Sequence, residues 1–244
     1  MAAFRTLWTA LVGLYEETLV LVGGNLAALA LNLPLGLVLF LIGLPFVSNG
    51  EGPGAQWLVA VIAWLMPYVP TPGNIALAGL TRVAAGPDAP RFFQFKDSLR
   101  QHWRIALKFT VVSLVVLAGL LWNVFFYFGL GSGWIQFVGI LWLYATVFWL
   151  SMHIYLMPLA VHVGEPRLFD IYRRSAFIAL GHPVYTLLLL AVLLIVGFAA
   201  VVFLPVYLLV AASFISLTQA HALREIRRRH GDLVIEPEDE VGRL

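Results

Sequence analysis

Apolar residues in this chain come in long runs, and charged residues fall almost entirely in the gaps between them. Runs of about 18 residues or more without charge are long enough to cross the hydrocarbon of a bilayer. Six runs of this length are read, the third carrying Lys108 in its first turn: Asn25–Val47, Trp57–Thr81, Ile105–Leu130, Trp134–Val163, Pro183–Val202 and Pro205–Leu223. The gaps alternate in charge. Arg82, Arg91, Lys96, Arg100 and Arg104 lie between the second and third runs, Arg167, Arg173 and Arg174 between the fourth and fifth, and Arg224, Arg227, Arg228 and Arg229 after the sixth. The intervening gaps hold no Lys or Arg, so the positive-inside rule puts both termini in the cytoplasm, in agreement with an even number of spans. The pattern predicts an all-α, polytopic transmembrane helix bundle of about six spans with both termini cytoplasmic.

Outside the runs, residues 1–24 predict an amphipathic helix. Phe4, Leu7, Trp8, Leu11, Leu14, Leu19 and Val22 recur at helical spacing, with a bend at Gly23-Gly24 before the first span. It either lies in the interface or packs half-buried beneath the bundle. A second interfacial helix is expected from about Arg91, turning into the third span. On it Lys96, Arg100, Arg104 and Lys108 form one stripe and Phe92, Phe95, Leu99 and Trp103 a neighbouring one, which suits anionic lipid headgroups or an acidic partner. Residues 25–230 form a single membrane domain, and 231–244 a short acidic cytoplasmic tail with Glu236, Glu238, Asp239 and Glu240.

Composition sharpens what is excluded. Hydrophobic residues make up 61% of the chain and charged residues 11%, against the roughly 25% charged of a soluble domain. With no cysteine, disulfides, thiolate metal sites and a cysteine nucleophile are ruled out together. No carboxylate lies within any run, and neither a phosphate-cradling loop nor a zinc-binding histidine spacing occurs. Neither an enzyme nor a cofactor or metal is expected, and nucleic acid is not an expected partner. Polar side chains at membrane depth are costly and tend to face protein or water. That singles out Asn123 in the third span and His153 in the fourth as a polar core or ligand path. Pro67, Pro70 and Pro72 break the second run, and broken backbone at membrane depth has to be buried in protein or line a cavity. Thr71, Gly73 and Asn74 join the candidates on that ground.

Three segments together resemble the YesL-like family of bacterial integral membrane proteins, a domain of unknown function. They are the run Asn25-Leu-Ala-Ala-Leu-Ala-Leu-Asn-Leu-Pro34, the break Thr71-Pro-Gly73-Asn-Ile-Ala-Leu-Ala78, and the aromatic–basic segment Arg91-Phe-Phe-Gln-Phe-Lys96. The chain departs from the family in two respects: 36 residues separate Pro34 from Thr71, where the family keeps the two motifs close, and Asn74 stands in place of the family's Pro. The resemblance implies an accessory role in carbohydrate uptake and transfers no catalytic residue. Three functions follow as expectations: an accessory or regulatory partner of a membrane transporter subunit or homo-oligomer, a small-solute transporter or channel using the broken second run with Asn123 and His153, or an anionic-lipid-binding scaffold.

Overall fold

A computed structural model describes residues 2–48, 61, 64–130, 133–162 and 167–230. The described residues form helices α1 (Ala2–Glu16), α2 (Thr18–Ser48), α3 (Pro72–Ala84), α4 (Phe92–Gly129), α5 (Gly133–His162), α6 (Leu168–Gly181) and α7 (Pro183–Val202). The last helix, α8 (residues 204–230), opens with Leu204–Val206, passes through a π-helical turn at Tyr207–Ala211 and continues as Ala212–His230. Among the described residues, five helices are long and apolar enough to cross a membrane: Thr18–Leu44, Phe92–Gly129, Gly133–His162, Pro183–Val202 and Leu204–Arg228. The chain is an all-α, polytopic membrane bundle. The start of the second expected run (57–60 and 62–63), the Gly131–Gly133 turn apart from Gly133, and the acidic tail lie outside the described residues.

Two expectations change, and one open alternative is decided. α2 runs straight through Gly23-Gly24 and Pro34, and the chain turns at Glu17 instead. Gly24 serves packing: a Cβ there would come within 2.6 Å of the Leu80 side chain. The second interfacial helix does not turn into its span. Residues Phe92 to Gly129 form one helix of 38 residues, about 57 Å at 1.5 Å per residue, because no proline interrupts them. One face of it is buried throughout, through Phe95, Ser98, His102, Ala106, Phe109, Ser113, Leu117 and Leu120. The α4 start is held by Gln94, whose Oε1 accepts from the Arg91 N–H at 2.7 Å. Finally, α1 packs against α8. Thr6 and Ala10 are buried, while Phe4, Trp8 and Tyr15 stay largely exposed.

The cation-bearing gaps meet at one end of the bundle. Arg82 donates to the carbonyl of Val161 at 3.0 Å, in the last turn of α5. Arg224 donates to the carbonyl of Ala85, at the end of α3. Each guanidinium thus answers a helix C-terminus, where carbonyls lack intrahelical donors and a positive charge suits the dipole. Arg5 pairs with Glu225 at 2.6 Å, and Thr6 bonds the Tyr185 hydroxyl at 2.9 Å, tying α1 to α8 and α7. Two buried clusters fill the interior: one around Phe109, Tyr155, Leu189 and Leu193, and one around Leu21, Leu77, Leu80 and Leu217.

Candidate functional site

The break in the second run is closed by side chains. Met66–Tyr68 make a single 3₁₀ turn, Val69–Thr71 are irregular, and α3 begins at Pro72. Thr71 caps α3, its Oγ1 accepting from the Asn74 N–H at 3.1 Å, and Pro72 sits where its missing N–H costs nothing. Asn74 then turns back over the break. Its Nδ2 donates to the carbonyls of Met66 and Val69, each at 2.8 Å, and its Oδ1 accepts from Asn32 Nδ2 of α2 at 3.0 Å. Thr110 of α4 donates to the Pro70 carbonyl at 3.0 Å. Tyr68 reaches across to the Leu193 carbonyl of α7, over a Gly197 whose missing Cβ leaves room for the hydroxyl. Trp64 Nε1 donates to the neighbouring Leu194 carbonyl at 3.0 Å. Thr71 and Asn74, expected to line a ligand path, spend their hydrogen bonds on the backbone of the break itself. Gly73 is where α3 meets α2: a Cβ there would stand 2.7 Å from the Ala28 carbonyl oxygen.

Asn123 and His153 do not meet. Asn123 donates to the Gly119 carbonyl of its own helix at 2.7 Å and is only half-buried. His153 is buried in a different partnership, with Nδ1 2.8 Å from the Trp149 carbonyl and Nε2 2.9 Å from Ser113 Oγ. Ser113 Oγ lies 2.8 Å from the Tyr172 hydroxyl of α6. Chemistry fixes the directions. A carbonyl only accepts, so Nδ1 carries the proton; in the neutral imidazole Nε2 therefore accepts from Ser113, and Ser113 accepts from Tyr172. The tyrosine ring stacks on Trp149 at 5.2 Å between centroids. Burial pushes the Tyr172 phenol up to about 12 although its Ser113 bond pulls it down, so the hydroxyl keeps the proton it donates. Ser113, Trp149 and His153 share with Tyr68 and Val69 a cavity of about 10 Å³, the space of a single water molecule.

Removing Ser113 should therefore unfasten α6. Ser113→Ala leaves the Tyr172 hydroxyl and His153 Nε2 buried without their partner, at about 1–3 kcal/mol each. Backbone amides of Leu168–Gly181 should exchange hydrogen roughly ten-fold faster or more, with α7 unaffected; unchanged exchange would show that apolar contact alone holds α6.

Three polar residues of the interior were not anticipated. Asn25 stitches the π-turn of α8, donating to the Leu208 carbonyl at 2.6 Å and accepting from the Ser213 N–H at 3.1 Å. Asn32 holds Asn74, and Thr81 bonds Ser216 at 2.8 Å between α3 and α8. Their signal was present, since an asparagine in an apolar run is costly unless paired. Gln219 is fully buried with neither amide atom partnered among the described residues.

The basic stripe is a surface. Lys96, Arg100, Arg104 and Lys108 are exposed on α4, and no carboxylate pairs with any of them among the described residues. Lys96 lies over the Phe92 ring at 5.8 Å and Arg104 over Trp103 at 5.4 Å, while Phe95 is turned into the core. No group of His, Asp and Glu suited to a metal ion occurs among the described residues. No family profile, curated protein or solved structure matches this chain.

Proposed function

We propose that the chain is a non-enzymatic accessory protein of a bacterial cytoplasmic membrane, acting as a partner of another integral membrane protein. The observation that carries the reading is how its polar groups are spent. Asn25, Asn32, Asn74, Thr110, Ser113, His153 and Tyr172 are committed to one another or to backbone carbonyls, fixing the break, the π-turn and α6 in place. Apart from the unpartnered Gln219 amide in the interior, uncommitted chemistry lies mainly on the outside, in the cations and rings of α4 and in Arg173 over Phe177 of α6. A rigid interior with a reactive periphery suits recognition rather than turnover. The YesL-like motifs add carbohydrate uptake as the setting, with a permease subunit as the partner class.

Purification from native membranes in mild detergent, with co-eluting proteins identified by mass spectrometry, tests this. One membrane protein should co-purify in stoichiometric amount, and a transport subunit would fix the setting. A chain that elutes alone under conditions where known permease complexes survive would overturn the reading.

A further inference from the structure

The exposed side of α4 changes character along its length without changing face. On an ideal helix, Lys96, Arg100, Arg104 and Lys108 fall within an arc of about 120° and extend about 18 Å along the axis. Farther along, that same arc is occupied by Leu107, Val111, Val115 and Trp122, which are 46%, 60%, 66% and 68% exposed. The opposite side is the buried one, through Phe95, His102, Ala106, Phe109 and Ser113. One helix face thus runs from cationic to apolar with no break in the backbone between them.

In a helix that crosses a bilayer, an exposed apolar face of this kind contacts acyl chains. Its cationic continuation then stands where the headgroups of those lipids lie. We propose that Lys96, Arg100, Arg104 and Lys108 form a binding surface for anionic phospholipid headgroups. The exposed rings fit the assignment: Phe93 and Trp103 are 53% and 46% exposed among the cations, the arrangement that suits the boundary between headgroup and hydrocarbon. Lys108, the deepest of the four, has a stem long enough to keep its ammonium at that boundary. Charge complementarity selects the lipid, since none of the four cations has a carboxylate partner among the described residues. An acidic soluble protein would have to displace the lipid that covers the rest of the face. The assignment needs no partner protein, so it stands or falls apart from the accessory reading.

The test uses the purified full-length chain in nanodiscs of phosphatidylcholine with or without phosphatidylglycerol, and counts lipids retained after detergent transfer by native mass spectrometry. Wild-type protein should retain phosphatidylglycerol in preference, and the preference should fall as salt rises. The variant K96Q/R100Q/R104Q/K108Q should lose it by about ten-fold or more. Equal retention of the two lipids by wild type, or undiminished phosphatidylglycerol retention by the variant, overturns the proposal. Should the fourfold variant fail to give a monodisperse protein, R100Q/R104Q and the wild-type salt series decide: a preference unmoved by both also overturns it.

Discussion

Asn74→Ala is expected to be among the most damaging single substitutions in this chain. Its amide makes three buried hydrogen bonds, to the Met66 and Val69 carbonyls and from Asn32. Alanine removes all three and leaves two carbonyls of an irregular segment, together with the Asn32 amide, away from water. Each deserted polar group costs about 1–3 kcal/mol, far more than the roughly 0.6 kcal/mol of an average interhelical hydrogen bond in a membrane. We expect a total loss of about 3–5 kcal/mol, seen as a melting temperature in detergent lower by on the order of 10 °C. Asn74→Asp should be no rescue, because a carboxylate cannot donate to carbonyls. Asn123→Ala provides the contrast. Asn123 bonds only the Gly119 carbonyl of its own helix, so its loss should stay within about 0.5 kcal/mol. Equal effects at the two positions would show that the break is not held by Asn74.

The second large effect is expected at Gly73. Alanine there would place a Cβ 2.7 Å from the Ala28 carbonyl oxygen, 2.9 Å from Asn32 Oδ1 and 3.1 Å from Ala28 Cα. Two of these three atoms are backbone, so no rotamer change relieves the clash, and α2 must move away from α3. That separation also stretches the Asn32–Asn74 bond, coupling the two positions. Overpacking of this kind costs about 1–3 kcal/mol. Larger residues at position 73 should prevent folding outright, assayed as loss of the monodisperse peak in detergent. Gly119→Ala is the matched control: nothing lies within 4 Å of a Cβ there, and helix propensity favours alanine by about 1 kcal/mol. A protein that tolerates alanine at 73 as well as at 119 would contradict the close approach of α2 and α3.

These two residues also mark where the sequence was readable and where it stopped. Hydropathy placed the long helices because their runs are long and apolar, and the alternating charge anticipated that Arg82 and Arg224 would lie at one end. Three prolines announced a break within the second run, just before α3. What the break is for was not legible, because Thr71 and Asn74 look the same in sequence whether they face a ligand or their own backbone. The Asn123–His153 pairing failed for a related reason. Linear position gives depth but not azimuth, and Asn123 points away from the face that carries Ser113 toward His153. Gly23-Gly24 was misread as a bend, since a glycine pair marks flexibility only when no helix presses against it; here Leu80 presses on Gly24. Asn25 and Asn32 were in plain view within a motif, yet their partners lie 188 and 42 positions away, at Ser213 and Asn74, and no local pattern announces such pairs.

The clasp between Arg5 and Glu225 has a consequence for the order in which the chain is made. Its two ends are separated by 220 positions. At a synthesis rate of roughly 5–20 residues per second, the first helix waits on the order of ten to forty seconds before its partner leaves the ribosome. During that wait α1 has nothing of its own chain to cover the side around Ala10 that α8 will later take, while Phe4, Trp8, Leu11 and Tyr15 remain exposed even in the folded chain. The bilayer surface is the natural holding place for such a helix, and the closing step of folding is then a lateral transfer of α1 from lipid onto α8.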